Sequence, residues 1–179
     1  MMFESFAPFE PNEFRIKFSA SRWEREQARA LRRRVFCDEQ GIFCGDDGDA
    51  VDDYAIPIVA LSMMGVAADR VVGAVRIHEE EPGLWWGSRL AVDAEFRRIG
   101  SLGATLIRLA VSSARAMGCQ TFLAHVQAQN APLFAQLHWD ALGEVDLHGR
   151  PHLKMKADLQ RYPPCANPEI GFVALKKAA

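Results

Sequence analysis

Leu90-Ala91-Val92-Asp93-Ala94-Glu95-Phe96-Arg97-Arg98-Ile99-Gly100-Ser101-Leu102-Gly103 is the stretch on which the reading of this chain turns. A strand ends at Val92, a short basic turn follows, and a helix begins near Gly100. The N–H groups at such a helix start, together with the positive end of the helix dipole, favour an anion. Gly100 and Gly103 let the backbone come close to a phosphate, and Arg97 and Arg98 add charge. Taken alone, these residues describe a phosphate cradle or, equally, a turn whose glycines serve only packing.

Working outward, Ser101 to Met117 carries Leu102, Leu106, Leu109 and Ala110 at helical spacing, and Gly118 stops the helix. Thr121 to Val126 reads as a strand, Ala131 to Trp139 as a short helix, and two strands flank Gly149-Arg150-Pro151. Upstream, Phe14, Ile16 and Phe18 alternate with polar neighbours, as in a half-buried strand. Ser21 and Glu24 form a capping box that opens a helix carrying Trp23, Ala28, Leu31 and Val35. The acidic run Asp46 to Asp53 is loop. Pro57 to Met64 and Arg70 to His78 form a hairpin, and Leu84 to Val92 is a further strand. Antiparallel strands followed by a strand–helix–strand unit make a mixed α/β single domain, with a parallel pair where the long helix crosses over. Residues 1–159 are assigned to that domain and 160–179, which show no clear period, to a C-terminal tail that wraps the surface or is mobile.

Composition narrows the function. A net charge of −2 over 179 residues gives no electrostatic reason to dock on DNA, RNA or an anionic membrane, so neither nucleic acid nor membrane is expected as a partner. No run approaches the roughly 20 apolar residues of a membrane span. Met1 to Pro11 carries Glu4 and Glu10 and lacks the pattern of a signal peptide, so a cytoplasmic location is expected. Cys37, Cys44, Cys119 and Cys165 are scattered, without the spacing of a zinc site. They are read as reduced thiols, and no metal is expected.

Arg97-x-x-Gly100 after Leu90-Ala91-Val92 resembles the coenzyme A signature of the GNAT acyltransferases, and the order of elements from Phe14 to Asp158 agrees with that family. Asn130, Leu133 to Trp139, and Gly149 to Met155 resemble its later cofactor-side segment and closing hairpin. A bacterial group known as nitrogen-starvation N-acetyltransferases is similar, although that label names no substrate. The resemblance implies the GNAT fold: a mostly antiparallel sheet with a splayed parallel pair and flanking helices. It also implies acetyl-CoA or another acyl-CoA as co-substrate, its pyrophosphate on Arg97, Arg98, Gly100, Ser101 and Gly103. The pantetheine would lie along Leu90, Ala91 and Val92, with Asn130 and Phe134 contacting the cofactor. Two positions depart from the family pattern. Leu102 stands where the motif has Gly or Ala, and Phe134 stands where many members have the Tyr that protonates the departing thiolate.

The acceptor implied is the primary amine of a small molecule, possessing in one reading an amino-acid-like carboxylate. An attacking ammonium must lose a proton, and Glu39, His125, His138 and His152 are the candidates for that base, Glu39 leading. The acceptor pocket is expected to be walled by the Phe36–Gln40 segment, Trp85, Trp86 and Arg89. Arg89 either grips an acceptor carboxylate or braces the pocket against an aspartate of the 46–53 loop. That acidic loop itself attracts a cationic amine or is simply solvated. Arg33-x-x-Phe36, Asp49, Asp52, Arg76 after Gly73, and Trp85-x-x-Ser88-Arg89 also resemble acyl-homoserine-lactone synthases, which keeps an N-acyl amino acid product open. A non-catalytic acyl-CoA sensor, and a homodimer, are open as well.

Overall fold

Phe14 and Ile16, two apart in β1 (Glu13–Phe18), are fully buried, as alternation requires of a strand with one face on a core. The computed structural model describes residues 8–99 and 101–176. Helix α1 (Arg22–Arg33) starts at the expected capping box: Ser21 accepts from the Glu24 N–H, and the Glu24 carboxylate reaches back to the Ser21 N–H. A π-helical turn, Arg34–Glu39, continues it, so Val35 sits just beyond α1. Strands β2 (Ile56–Met64), β3 (Ala67–Glu81) and β4 (Leu84–Val92) follow as an antiparallel meander. Then come α2 (Leu102–Ala116), β5 (Thr121–Gln127), α3 (Ala131–Gln136), β6 (Trp139–Leu147) and β7 (Arg150–Ala157). Trp139, expected at the end of a helix, instead opens β6, because the chain turns at His138 with φ 63°.

The strands form one sheet in the order β6-β7-β5-β4-β3-β2-β1-β8, where β8 is Phe172–Leu175. Among the described residues β4 and β5 are the one parallel pair, with α2 as their crossover. Both faces of the sheet are covered. Ala28, Leu31, Val35 and Phe36 pack on one face against Val59, Leu61 and Val71. Leu102, Leu106 and Leu109 of α2 pack on the other against Phe14, Ile58, Val72 and Phe122. Burial on both sides is why Ile58 to Met63 reads as a continuous buried run rather than an alternation.

The stretch read as a tail returns to the sheet. β8 pairs antiparallel with β1 through Glu13–Ile16, and Arg115 on α2 donates to the carbonyls of Leu159 and Tyr162. Gly171 makes the join, at φ 67° and against the Ile16 backbone.

The acidic loop is solvated at Asp46 and Asp53 but tied down between them. Asp47 is 2% exposed and accepts from Arg32 Nε at 2.8 Å and Arg89 Nε at 3.0 Å. Asp52 takes the other edge of Arg32 (2.6 and 3.0 Å), and Asp49 is held bidentately by Arg76 (2.6 and 2.8 Å). Three arginines and three aspartates therefore cancel in charge while tying α1, the loop, β3 and β4 together. Arg33, the residue singled out by the synthase pattern, is exposed; its neighbour Arg32 makes the contacts.

Two expectations follow. A Cβ at Gly171 would fall 1.8 Å from the Ile16 carbonyl oxygen, so Gly171→Ala should cost about 2 kcal/mol or more. Denaturant unfolding measures the loss, and faster amide exchange in Glu13–Ile16 would locate it at β8. For the loop, burial would raise the Asp52 carboxyl, but Arg32 and Arg76 outweigh it and hold the group well below its ordinary value; Arg76 likewise depresses Asp49. Carboxyls depressed on folding contribute in full above their unfolded value, about 3.9, and lose that contribution as pH falls through the folded value. Stability should thus decline below about pH 4, and Asp52→Asn should lower it at pH 7 while flattening the acid decline in urea titrations.

Candidate active site

The site begins with a miscount between strands. Gly73 and Ala74 face Val92 and Ala91, and Arg76 faces Ser88, so Arg89 and Leu90 together oppose Val75 alone. This is a β-bulge, with Arg89 in the left-handed region at φ 55°. Strain of this kind in a non-glycine residue must be held by its surroundings, and the Arg89 guanidinium is anchored on the Asp47 carboxylate and carbonyl and on Asp49. The bulge turns β4 away from β5. They pair only from Leu84–Gly87 with Thr121–Ala124, and beyond that fork the β4 edge facing β5 has no strand partner. Half-buried main-chain groups left this way need a ligand or water, at a cost near 1–3 kcal/mol each if unmet.

At the mouth of the fork stands the quoted loop. Gly100 lies outside the described residues. Ser101, at φ 55°, precedes the fifteen-residue α2, whose first turn receives no side-chain cap, so its N–H groups are available to an anion. Leu102 points into the core at 2% exposed and leaves the cradle clear. A Cβ built on Gly103 would lie 4.0 Å from both Val92 and Leu133, which puts its bare Cα between the end of β4 and α3. Arg97 and Arg98 are exposed. Arg97 Nε donates to the Val92 carbonyl at 2.9 Å, and its Nη2 is ion-paired with Glu39.

Beside the fork is a pocket of about 350 Å³ lined by Phe36, Phe43, Trp86, Arg89, His125 and His152, among others. It meets a narrow cleft of about 60 Å³ at the fork itself, where Ser88, Leu90, His125 and Phe134 line both spaces. Asn130 is on the rim. His152 is buried, and its Nδ1 lies 2.9 Å from the Arg150 carbonyl. A carbonyl only accepts, so this Nδ1 is the donor. His125, its ring tilted 46° against Trp86 with centroids 4.9 Å apart, titrates below its ordinary value because of burial first, then the nearby Lys154 and His152. Ser88 Oγ accepts from Arg76 Nε at 2.9 Å. Phe134 is 7% exposed, edge-on to Trp139.

Several expected wall and base residues lie elsewhere. Glu39 is outside the pocket, paired with Arg97. His138 lines a different cavity, against the C-terminal segment. Trp85 is buried in the core, on the face opposite Trp86, as neighbours on a strand must be. The pocket includes Ser88, quoted in the synthase pattern, and also Phe43 and His78, which the sequence reading did not single out; the alternation of β3 and β4 around the His78–Trp86 pair was the available signal. All four cysteines are free thiols, and burial pushes Cys119 up to about 11. Among the described residues no cluster of His, Cys, Asp and Glu is placed to hold a metal, and no helix is long and apolar enough to cross a membrane.

No curated protein matches the chain by sequence. Solved structures do match its fold. A candidate N-acetyltransferase from Lactobacillus plantarum superposes with TM-score 0.72 at 23% identity, covering 82% of this chain and 98% of that one. FeeM, an N-acyl amino acid synthase from uncultured soil microbes, gives 0.66 at 13% identity, covering 86% and 96%. BjaI, a CoA-dependent acyl-homoserine lactone synthase solved with SAM and isopentyl-CoA, gives 0.64 at 19%, covering 83% and 86%. The family description "Acetyltransferase (GNAT) family" matches residues 22–138, the span that runs from α1 through the bulge, the fork and the α2 mouth. With a forked parallel pair and an uncapped helix start in the same span, the chain belongs to the GNAT acetyltransferase family.

Proposed function

We propose that the protein transfers an acyl group, acetyl in the first instance, from coenzyme A directly to the primary amine of a small molecule. The carrying observation is the fork: unpaired β4 main chain, an uncapped helix start and a pocket meet at one place. Pantetheine amides would pair with the free edge of Leu90 to Val92, and the pyrophosphate would sit on the 97–103 turn with Arg97 and Arg98. Asn130 and Phe134 border the thioester end. The 60 Å³ cleft is about twice the ~30 Å³ share of a water molecule, which supports a short acyl group. The unreactive, buried Cys119 supports direct transfer over a cysteine-linked intermediate.

His125 is assigned as the base. It lines both cleft and pocket, and its depressed value leaves it neutral near pH 7. The free amine attacks the thioester carbonyl, the C–N bond forms, the C–S bond breaks, and His125 takes the proton from nitrogen. The sulfur leaves as thiolate; Phe134 has no proton to give, and the Ser88 hydroxyl, its oxygen already accepting from Arg76, keeps its hydrogen free to meet that charge. Glu39 has a different part in this reading. Its ion pair with Arg97 competes with the phosphate for the guanidinium.

Three variants separate these roles. His125→Asn should lower kcat by about 10²–10⁴-fold. Glu39→Gln should tighten acetyl-CoA by a few-fold in calorimetry with little change in kcat; the opposite pattern returns the base to Glu39. Arg89→Ala should lower activity equally for neutral and carboxylate-bearing amines and reduce Tm, since its charge is already matched by Asp47 and Asp49. A loss confined to carboxylate-bearing amines would favour a second reading, an amino-acid-like acceptor gripped by Arg89, which the likeness to the N-acyl amino acid synthase FeeM also suggests. Tight acetyl-CoA binding with no CoA release across an amine panel would overturn catalysis in favour of a sensor.

A further inference from the structure

A second cavity lies away from the fork. About 730 Å³ lies between α2, the His138 turn and residues 161–172, and it shares no lining residue with the acyl-transfer pocket. That volume is within the range of small-molecule sites. Its walls are fixed in place. Arg115 holds the carbonyls of Leu159 and Tyr162 at 2.6 and 2.9 Å, the Cys165 N–H donates to the Ser112 carbonyl at 2.9 Å, and Tyr162 is bonded to Leu137 and to Trp139. Such a wall is pre-organised, which lowers the ordering cost of binding.

Charge is distributed one way. Arg108 and Arg161 line the cleft, and no carboxylate does. The nearest acid to Arg161 is Asp158 at 3.8 Å, both well exposed, a contact that holds the guanidinium weakly. Arg108 has no ion pair among the described residues. Leu137, Pro163, Ile170 and Phe172 supply apolar wall, interrupted by the polar Ser112, Gln136 and Asn167. Two guanidinium forks beside that apolar wall match a planar anion on a hydrophobic body.

We propose that this cleft is a second binding site, separate from the acyl-transfer pocket, for a small carboxylate with an apolar or aromatic body, held by Arg108 and Arg161. The probe is 3-phenylpropionate, titrated calorimetrically into the full chain saturated with acetyl-CoA, with 3-phenylpropionamide as its neutral counterpart. The carboxylate should bind with acetyl-CoA present. The amide should bind at least about tenfold more weakly, and Arg108→Ala and Arg161→Ala should each weaken the carboxylate by about tenfold. Both arginines are exposed, so Tm and acetyl-CoA affinity should stay at the wild-type values. The proposal is overturned by no saturable binding below about 10 mM. Equal binding of acid and amide, no loss in either variant, or loss in Arg89→Ala instead would overturn it as well.

Discussion

Everything distinctive about this molecule depends on two residues of β4 standing opposite one residue of β3. Arg89 and Leu90 cannot both keep register with Val75, so the strand bends, and the bend falls where β4 would otherwise continue beside β5. A parallel pair that stays closed has no room for a ligand. Here the pair parts after four residues and presents main-chain groups to whatever enters. α2, having crossed over the sheet, begins at the same mouth, so donors from a strand edge and from a helix start converge on one space.

A left-handed arginine is a costly way to build a bend that glycine would give freely. Its side chain offsets the cost by joining a cluster in which Arg32, Arg76 and Arg89 face Asp47, Asp49 and Asp52. Arg76 and Arg89 of this cluster line the pocket beside the fork, each with its charge matched by an aspartate behind it. Removing one member would strand its partners in a poorly solvated place, so the six residues act as a unit.

Much of the scaffold could be read from residue patterns. The Ser21–Glu24 cap, the alternation of β1, the hairpin of β2 and β3, and the strand–turn–helix at Val92 to Leu102 are local signals and sit where they were expected. What escaped is long-range. Arg32 rather than Arg33 meets the aspartates, and a step of one residue is about 100° around a helix. Asp47 looks like any loop acid until its partners, up to 42 residues away, enclose it. Trp85 and Trp86 differ by one place and face opposite sides of the sheet. The Glu39–Arg97 contact joins positions 58 apart and has no signature in either neighbourhood. β8 escaped because an edge strand of four residues, with Ala174 alone fully buried, has almost no pattern to show.

That last strand has a consequence for how the protein is made. β1 leaves the ribosome before any of its sheet partners, yet its outer edge is covered by residues 172–175, more than 150 positions later. At about 5–20 residues per second, β1 waits on the order of ten seconds or more with an open hydrogen-bonding edge. During that interval nascent chains on one message are exposed to pairing with each other. Arg15 and Lys17 alternate with Phe14 and Ile16 along β1, so until Lys17 meets Glu24 their charges oppose the pairing of one waiting copy with another.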